Sequence, residues 1–243
     1  LDLINISSLY SAAIRMDSAR EAVPRMLSWL AAMTHPDGQI ALFNDAAFGI
    51  AAPPAALSDY ARQLGLAPAR PEEMTGLEVI TIGETALTVL RTSGYIRIAA
   101  GPMTAILDTA PLGPDYLPGH AHADTLTFEL SLGAQRVVVN GGTSVYGEDV
   151  TRREQRGTMA HNTVVVDGSD SSEVWGGFRV ARRARPFGLS IERLPSGEVS
   201  VKCAHDGYRR LPGRVVHRRE WRIGGHSITI NDNVEGQCDC ATG

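Results

Sequence analysis

Apolar residues in the first quarter of the chain recur at intervals of three and four positions, the spacing of one face of an α-helix. Two such runs precede Met33, and two helices are predicted there. The sequence His-Pro-Asp-Gly at residues 35–38 is typical of a turn that ends a helical run. A shorter third helix is predicted from Ser58 to Gly65. Residues 1–66 are therefore predicted to be a helical segment.

Beyond this segment the hydrophobic period changes. Residues 67–77 contain two prolines and two glutamates and are predicted to be a linker. Over residues 78–243 apolar and polar positions alternate, which is typical of half-buried strands, and short glycine-containing turns between the runs favour antiparallel hairpins. We predict an α+β, multidomain fold: a short helical segment followed by a large antiparallel β-sandwich. Strands are expected at residues 85–90, 95–99, 104–107, 125–130, 136–139, 163–166, 198–201, 215–223 and 228–230.

Composition excludes several classes of protein. The chain has 243 residues, of which 43% are hydrophobic, as in an ordinary globular protein. A net charge of -4 argues against a partner that is nucleic acid, and no run approaches the ~18 apolar residues of a membrane span. Three cysteines without a repeated C-x-x-C pair indicate neither a zinc knuckle nor a disulfide framework. The oligomeric state stays open.

Histidines supply the clearest chemical signal. His120, His122 and Asp124 alternate, so that on an extended strand their side chains would share one face. His161 precedes a valine-rich run that is also predicted to be a strand, which could lie beside the first group. This arrangement is typical of a metal or catalytic site. The isolated histidines elsewhere, His205, His217 and His226, are interpreted as surface or core residues.

Three motifs resemble one family. They are Gly119–Asp124, Val137–Tyr146 and Arg156–Thr163, and together they look like the C-terminal β-domain of the heparinase II/III polysaccharide lyases. The segment Trp29–Asp45 resembles the last helices of that family's α/α toroid. The resemblance implies that residues 1–66 are the end of a toroid and that residues 78–243 are a sandwich of stacked sheets, with the acidic polysaccharide in the cleft between them. The chain is expected to be an excised piece whose sandwich is truncated at its C-terminus.

The resemblance also implies roles for individual residues. His120 matches a histidine of the catalytic cleft, and His122 and His161 match two ligands of a zinc ion that supports the site. At the third ligand position the family usually has Asp, whereas this chain has Asn140. A neutral amide oxygen is a poorer ligand for Zn²⁺ than a carboxylate, so weakened zinc binding is expected. Asp124 is interpreted as an acceptor that orients a histidine.

Other parts of the catalytic set are expected to lie elsewhere. Family members carry a catalytic Tyr, with Asn or His beside it, on the toroid upstream of Leu1, so the piece alone is predicted to have little activity. Tyr146 and Tyr10 are the tyrosines considered in its place. A lyase must also neutralise the substrate carboxylate. Forked guanidinium groups bind carboxylates well, and the candidates are three neighbouring arginines, Arg152, Arg153 and Arg156.

The function expected is β-elimination on an acidic, uronate-containing polysaccharide, in the periplasm or cell envelope. An alternative is a non-catalytic carbohydrate-binding or scaffold module in which Asn140 marks a lapsed metal site. A cupin-type metal enzyme also uses an H-x-H pair and a later His, but Asp124 lies too close to that pair to be its acidic ligand, and a cupin has no place for the helical segment. This third interpretation ranks lowest.

Overall fold

A computed structural model describes residues 1–9 and 17–236. Three helices occupy the first part, α1 (Asp2–Leu9), α2 (Asp17–Ala32) and α3 (Pro54–Gln63), and α4 (Val150–Arg156) follows much later. Helix α2 confirms the second predicted run, whereas the first predicted run, from Leu9 to Met16, lies almost entirely outside the described residues. Helix α3 begins four residues before the predicted start because Pro53 and Pro54 provide its first turn. Tyr10 lies outside the described residues. The turn at residues 35–38 is present, with Gly38 at a φ of 81°.

Twelve strands are described in the rest of the chain. They are β1 (Leu77–Ile82), β2 (Thr85–Leu90), β3 (Tyr95–Ala100), β4 (Met103–Asp108), β5 (Phe128–Leu132), β6 (Gln135–Val138), β7 (Val174–Trp175), β8 (Arg179–Val180), β9 (Pro186–Arg193), β10 (Val199–His205), β11 (Val216–Ile223) and β12 (Ile228–Glu235). Strands β1 to β6 form one antiparallel sheet in chain order, and β9 to β12 form a second. The short pair β7 and β8 lies between them in the chain. The predicted antiparallel sandwich is confirmed.

The two sheets are held together by one apolar core. The first sheet contributes Leu87, Ile98 and Leu107, and the second contributes Val201 and Trp221, all at most 1% exposed. These residues occupy alternate positions of their strands, so the period-two pattern of the sequence is the pattern of the core. Burial of apolar area on this scale is the main stabilising term of such a sandwich.

The segment that follows α2 packs on the first sheet, on the face opposite the core. Met33, Ala41 and Phe43 pack against Leu90 and Ile106 of the first sheet. This contact fixes the loop that follows α2, residues 33–53, against the strands. The division of the chain into a helical domain (residues 1–66), a linker (67–77) and a sandwich domain (78–243) stays a prediction. Among the described residues, no helix has both the length and the apolar character that a membrane crossing requires.

Two strand predictions are wrong, and both concern histidine segments. Residues 120–124 lie in the loop between β4 and β5, because tight turns precede and follow them: Ala121 N donates to Pro118 O, and Thr127 N donates to Asp124 O. Residues 163–166 form no strand, since Asn162 N and the Thr163 hydroxyl are bonded to the β4–β5 loop. The alternation of His with small residues at positions 120–124 therefore resembles a strand pattern, although the segment is a loop. Strands β1, β7, β8 and β9 were not predicted.

Candidate active site

Loops build the candidate site, and a few close contacts hold them in place. Asn44, at a φ of 52°, receives the main-chain N–H of His122 on its amide oxygen at 3.1 Å. Its own N–H donates to the Asp124 carboxylate at 3.3 Å. On the other side of Asp45, the Ala46 carbonyl receives the Thr143 N–H at 3.1 Å. The loop after α2 is therefore bound to both the β4–β5 loop and the segment after β6.

Asp45 lies at the centre of these loops. Its side chain is 7% exposed, and its oxygens accept from four side chains. Oδ1 receives His122 Nε2 at 2.9 Å, and Oδ2 receives the Tyr146 hydroxyl at 2.9 Å and lies 2.9 Å from His120 Nδ1. Arg152 contacts both oxygens. Burial alone would raise the pKa of this carboxyl, but the hydrogen bonds from His122 and Arg152 outweigh burial and hold the pKa well below its ordinary value.

His120 and Tyr146 are the solvent-facing members of this group. The His120 side chain is 62% exposed and Tyr146 is 56% exposed. The Tyr146 hydroxyl lies 2.8 Å from His120 Nδ1, and its ring packs between His120 and Phe178. Burial, followed by the hydrogen bond to Asp45, raises the pKa of Tyr146. The structure thus brings the two predicted catalytic side chains together.

The three predicted arginines occupy different environments. Arg152 is fully buried, and each of its five N–H groups has an acceptor: Asp45 twice, Thr143 Oγ1, Gly177 O and Gly119 O. Arg156 is also fully buried and donates to the main-chain carbonyls of Ala121, Gly176 and Arg179. Only Arg153 is exposed. The first two guanidinium groups therefore support the loops, and Arg153 alone is free to meet a ligand in solution.

The predicted zinc ligands also converge. The rings of His122 and His161 have centroids 5.3 Å apart, and His161 Nδ1 lies 3.3 Å from Asn140 Oδ1. Among the described residues, three buried polar atoms of this group have no hydrogen-bond partner: His122 Nδ1, His161 Nε2 and Asn140 Nδ2. Burial, followed by the proximity of His122, lowers the pKa of His161 to about 3, so its imidazole is neutral near neutral pH.

This donor set fits a metal ion only in part. Neutral imidazole nitrogens are good ligands for Zn²⁺, and two of them are buried without a partner. The Asn140 oxygen accepts from the Thr127 hydroxyl at 3.1 Å, so the amide would have to turn to become the third ligand. No group of three His, Cys, Asp or Glu side chains with metal-binding geometry occurs in residues 1–9 and 17–236. The two histidines fit, and Asn140 is the weak member of the set.

Comparison with known proteins decides the family. The profile described as heparinase II/III-like, C-terminal, matches residues 83–240, which is more than half of the chain. The chain belongs to the heparinase II/III-like family. The resemblance stated from the three motifs is confirmed, because all of them lie inside the matched range.

Solved structures extend the likeness to the fold. The "Heparinase III-BT4657 gene product" superimposes with a TM-score of 0.57 at 17% identity, over 87% of this chain and 32% of that chain. The same gene product with methylated lysines gives a TM-score of 0.55 at 16% identity, over 87% of this chain and 31% of the other. The heparinase II/III-like chain therefore spans less than a third of these proteins. No curated protein matches it in sequence.

Sequence reasoning missed the central residue of the site. Asp45 lies before the range matched by the family profile, residues 83–240, and is separated from its partners by 75 to 107 positions. It follows the predicted turn in a segment that contains no periodic pattern. The only local signal is the neighbouring pair Asn44-Asp45, residues that often adopt special turn conformations. Asp124, which was expected to orient a histidine, instead accepts from the main chain of Asn44.

Proposed function

We propose that this heparinase II/III-like protein belongs to a lyase that cleaves an acidic, uronate-containing polysaccharide by β-elimination. The observation that carries the proposal is an exposed imidazole, His120, whose Nδ1 lies 2.9 Å from the buried carboxylate of Asp45. Family membership supplies the reaction class. The geometry supports a proton-transfer role for this histidine because one ring nitrogen is bound to the protein and the other is free.

The proton step follows from this arrangement. A carboxylate accepts but does not donate, so Asp45 favours the His120 tautomer with hydrogen on Nδ1, and Nε2 keeps its lone pair. Among the described residues, Nε2 has no hydrogen-bond partner. In β-elimination the base takes the proton on the carbon next to the uronate carboxyl group. The released electron pair forms the carbon–carbon double bond, and the bond to the bridging oxygen breaks. We assign the removal of that proton to His120 Nε2.

The bridging oxygen must then receive a proton. Tyr146 carries the nearest hydroxyl, with its oxygen 2.8 Å from the ring of His120, and its raised pKa keeps the hydroxyl protonated. We propose Tyr146 as a donor for this step. Arg153 is the exposed cation on α4, and we propose that it binds a substrate carboxylate. Arg152 and Arg156 hold the loops and do not contact substrate in this proposal.

We also propose that His122 and His161 hold a zinc ion, with Asn140 as a weak third ligand. Their unpartnered nitrogen atoms support this assignment. When bound, the cation would supply structural charge that ties the β4–β5 loop to the segment that contains His161. The low affinity expected of the Asn140 oxygen predicts easy loss to chelators. The proposed location of the natural protein is the periplasm or cell envelope, where acidic polysaccharides occur.

Product analysis tests the reaction class. The natural-length protein would be incubated with uronate-containing polysaccharides in water enriched in ¹⁸O, and the products would be analysed by mass spectrometry and ultraviolet absorbance. Elimination gives an unsaturated uronate at the new chain end and no ¹⁸O from water. Incorporation of ¹⁸O without unsaturation identifies a hydrolase and rejects the proposal.

A second candidate is a carbohydrate-binding or scaffold module that does not cleave its ligand. Asn140 favours it, because a neutral amide oxygen beside His161 is a poorer ligand for Zn²⁺ than a carboxylate. In that case the protein binds the same polysaccharides but does not cleave them, and no new chain ends form. Binding without cleavage over both carboxylated and sulfated glycans would favour the module over the lyase.

A further inference from the structure

The position of Asp45 gives its carboxylate two different partners. Oδ1 receives the Nε2 hydrogen of His122, a proposed zinc ligand. Oδ2 lies within 2.9 Å of both His120 Nδ1 and the Tyr146 hydroxyl. Because one rigid group contacts both histidines, neither ring can turn without the loss of a hydrogen bond to the same residue.

The contact with His122 also decides which nitrogen is available to a metal. Asp45 can only accept, so the hydrogen of the neutral His122 ring lies on Nε2 and Nδ1 carries the lone pair. Nδ1 is fully buried and has no partner among the described residues. This is the arrangement of a metal-ligating histidine whose second nitrogen is oriented by a carboxylate.

The loop after α2 holds Asp45 firmly in this position. Asn44 is bonded to His122 N, to the Asp124 carboxylate and to the Tyr95 hydroxyl. On the other side, a Cβ added at Gly142 would lie 2.0 Å from the carbonyl oxygen of Ala46, so these two main chains are in close contact. The carboxylate is thus held in place by the contacts of its neighbours and by Arg152.

We infer that Asp45 is a positioning residue that couples the His122–His161 metal site to His120. It fixes the tautomer and orientation of His122 for the cation and the orientation of His120 for the substrate. The effect on turnover rests on the proposed lyase function, whereas the effect on metal affinity does not. The simplest competing explanation is that Asp45 only neutralises the buried cation of Arg152.

Zinc affinity separates these explanations. The natural-length protein and its variants would be titrated with Zn²⁺ alone against a chromophoric chelator at constant pH. Asp45→Asn is expected to reduce zinc affinity by ~10–100-fold, the usual effect of losing a carboxylate that orients a metal-binding histidine. Asp37→Asn is the matched control: Asp37 lies in the same loop and pairs with Arg136 at 2.7 Å, but it contacts neither histidine. This control is expected to keep the wild-type affinity.

A double variant avoids the loss of stability that a buried Arg152 guanidinium without its carboxylate partner would cause. Asp45→Asn combined with Arg152→Met leaves no buried guanidinium without a partner, so it tests the histidine contacts even if the single variant folds poorly. The inference expects zinc affinity to stay low in the double variant. Recovery to wild-type affinity would overturn it, as would an unchanged affinity in Asp45→Asn, an equal loss in Asp37→Asn, or a wild-type protein that binds no Zn²⁺.

Nitrogen NMR of the histidine rings gives a readout that is independent of lyase activity. In the wild type the His122 signals should show hydrogen on Nε2, and in Asp45→Asn this preference should weaken. An unchanged His122 tautomer would overturn the inference. Absence of lyase activity in a wild type that shows the zinc and tautomer effects would instead reject the proposed function and leave the coupling intact.

Discussion

Two clusters of this molecule use the same residue types in opposite ways. The loop cluster contains Asp45, His120, His122, Tyr146 and Arg152. The sheet cluster contains His205 and His217 with Arg219 and Asp232, on strands β10, β11 and β12. Each joins two histidines to a carboxylate and an arginine. The difference between them lies in which polar atoms remain without a partner.

In the sheet cluster every ring nitrogen is used. Gly207 N–H donates to His205 Nδ1 at 3.1 Å, so the His205 hydrogen lies on Nε2 and is donated to His217 Nδ1, also at 3.1 Å. His217 Nε2 then donates to Asp232 at 2.7 Å. Both histidines are fully buried. This closed chain leaves no nitrogen for a ligand, and its role is structural.

In the loop cluster two nitrogen atoms remain free. His120 Nε2 has no partner among the described residues and belongs to an exposed side chain, and His122 Nδ1 is buried without one. An unused donor or acceptor at a rigid site is where chemistry or ligand binding can occur. Exposure and unmade hydrogen bonds therefore distinguish a functional site from a structural cluster, whereas residue composition does not.

The largest difference is expected from removal of one histidine in the loop cluster. His120→Ala should lower turnover of the natural-length protein by ~10²–10⁴-fold, because it removes the proton acceptor. The free energy of unfolding should change by less than ~0.5 kcal/mol, since an exposed side chain is lost. Steady-state kinetics and urea denaturation measure the two quantities. A large loss of stability would mean that His120 has a structural role. An unchanged turnover would exclude it from the catalytic mechanism.

The sheet cluster should show the reverse result. His217→Ala leaves His205 Nε2 and the Asp232 carboxylate without their shared partner, and we expect a loss of ~2–4 kcal/mol in the free energy of unfolding. The turnover of the folded fraction should stay at the wild-type value. His226→Ala, at an exposed position of a turn, is the matched control and should alter neither quantity. A stable His217→Ala protein would contradict the structural role.

Acid should destabilise the sheet cluster through His205. Burial lowers the pKa of His205 to about 3, and the proximity of His217, Arg219 and Arg210 contributes in the same direction. Because the unfolded chain takes up this proton near pH ~6.5, stability is complete above that pH and falls as pH decreases toward 3, by at most ~1.4 kcal/mol per pH unit from this group. Asp232 adds a loss of the same sign at lower pH, because hydrogen bonds from His217 and Arg219 outweigh burial and lower its pKa.

Urea denaturation between pH 7 and pH 5 checks this dependence. His205→Gln removes the titrating group and should give a shallower slope than the wild type. Equal slopes in the two proteins would show that other groups carry the acid sensitivity.

The smallest effect is expected at Arg153, the exposed arginine next to Arg152 on α4. Arg153→Ala should raise KM by ~3–10-fold with little change in kcat, as for the loss of a contact that binds substrate and transition state equally. Arg193, exposed on β9 of the second sheet, provides the control, and Arg193→Ala should leave KM unchanged. A drop in kcat for Arg153→Ala would place this arginine at the reacting bond.

The fold could be predicted from the sequence more completely than the site. Alternation in runs such as residues 85–90 and 95–99 reflects burial on one face of a strand, and such local signals survive in the structure. His120 to Asp124 show the same alternation for a different reason. Their side chains are fixed by contacts to the loop after α2, so that His122 and Asp124 are buried and His120 is exposed.

The site depends on contacts that no local pattern records. Arg152 looked like one of three substrate-binding arginines, and only the structure shows that all its N–H groups are used within the protein. Asp45 reaches its partners through loop packing across 75 or more positions. Resemblance to the family indicated His122, Asn140 and His161, and their roles as metal ligands stay predictions.

The central claim is that His120 of the loop cluster removes the proton next to the uronate carboxyl group. Its most direct test uses a substrate with deuterium at that carbon, and follows loss of the label together with formation of the double bond in the wild type, His120→Ala and His217→Ala. We predict stoichiometric loss of deuterium in the wild type, the same chemistry in folded His217→Ala, and a ~10²–10⁴-fold slower loss in His120→Ala. Cleavage that retains the deuterium, or equal rates in the wild type and His120→Ala, would contradict the account.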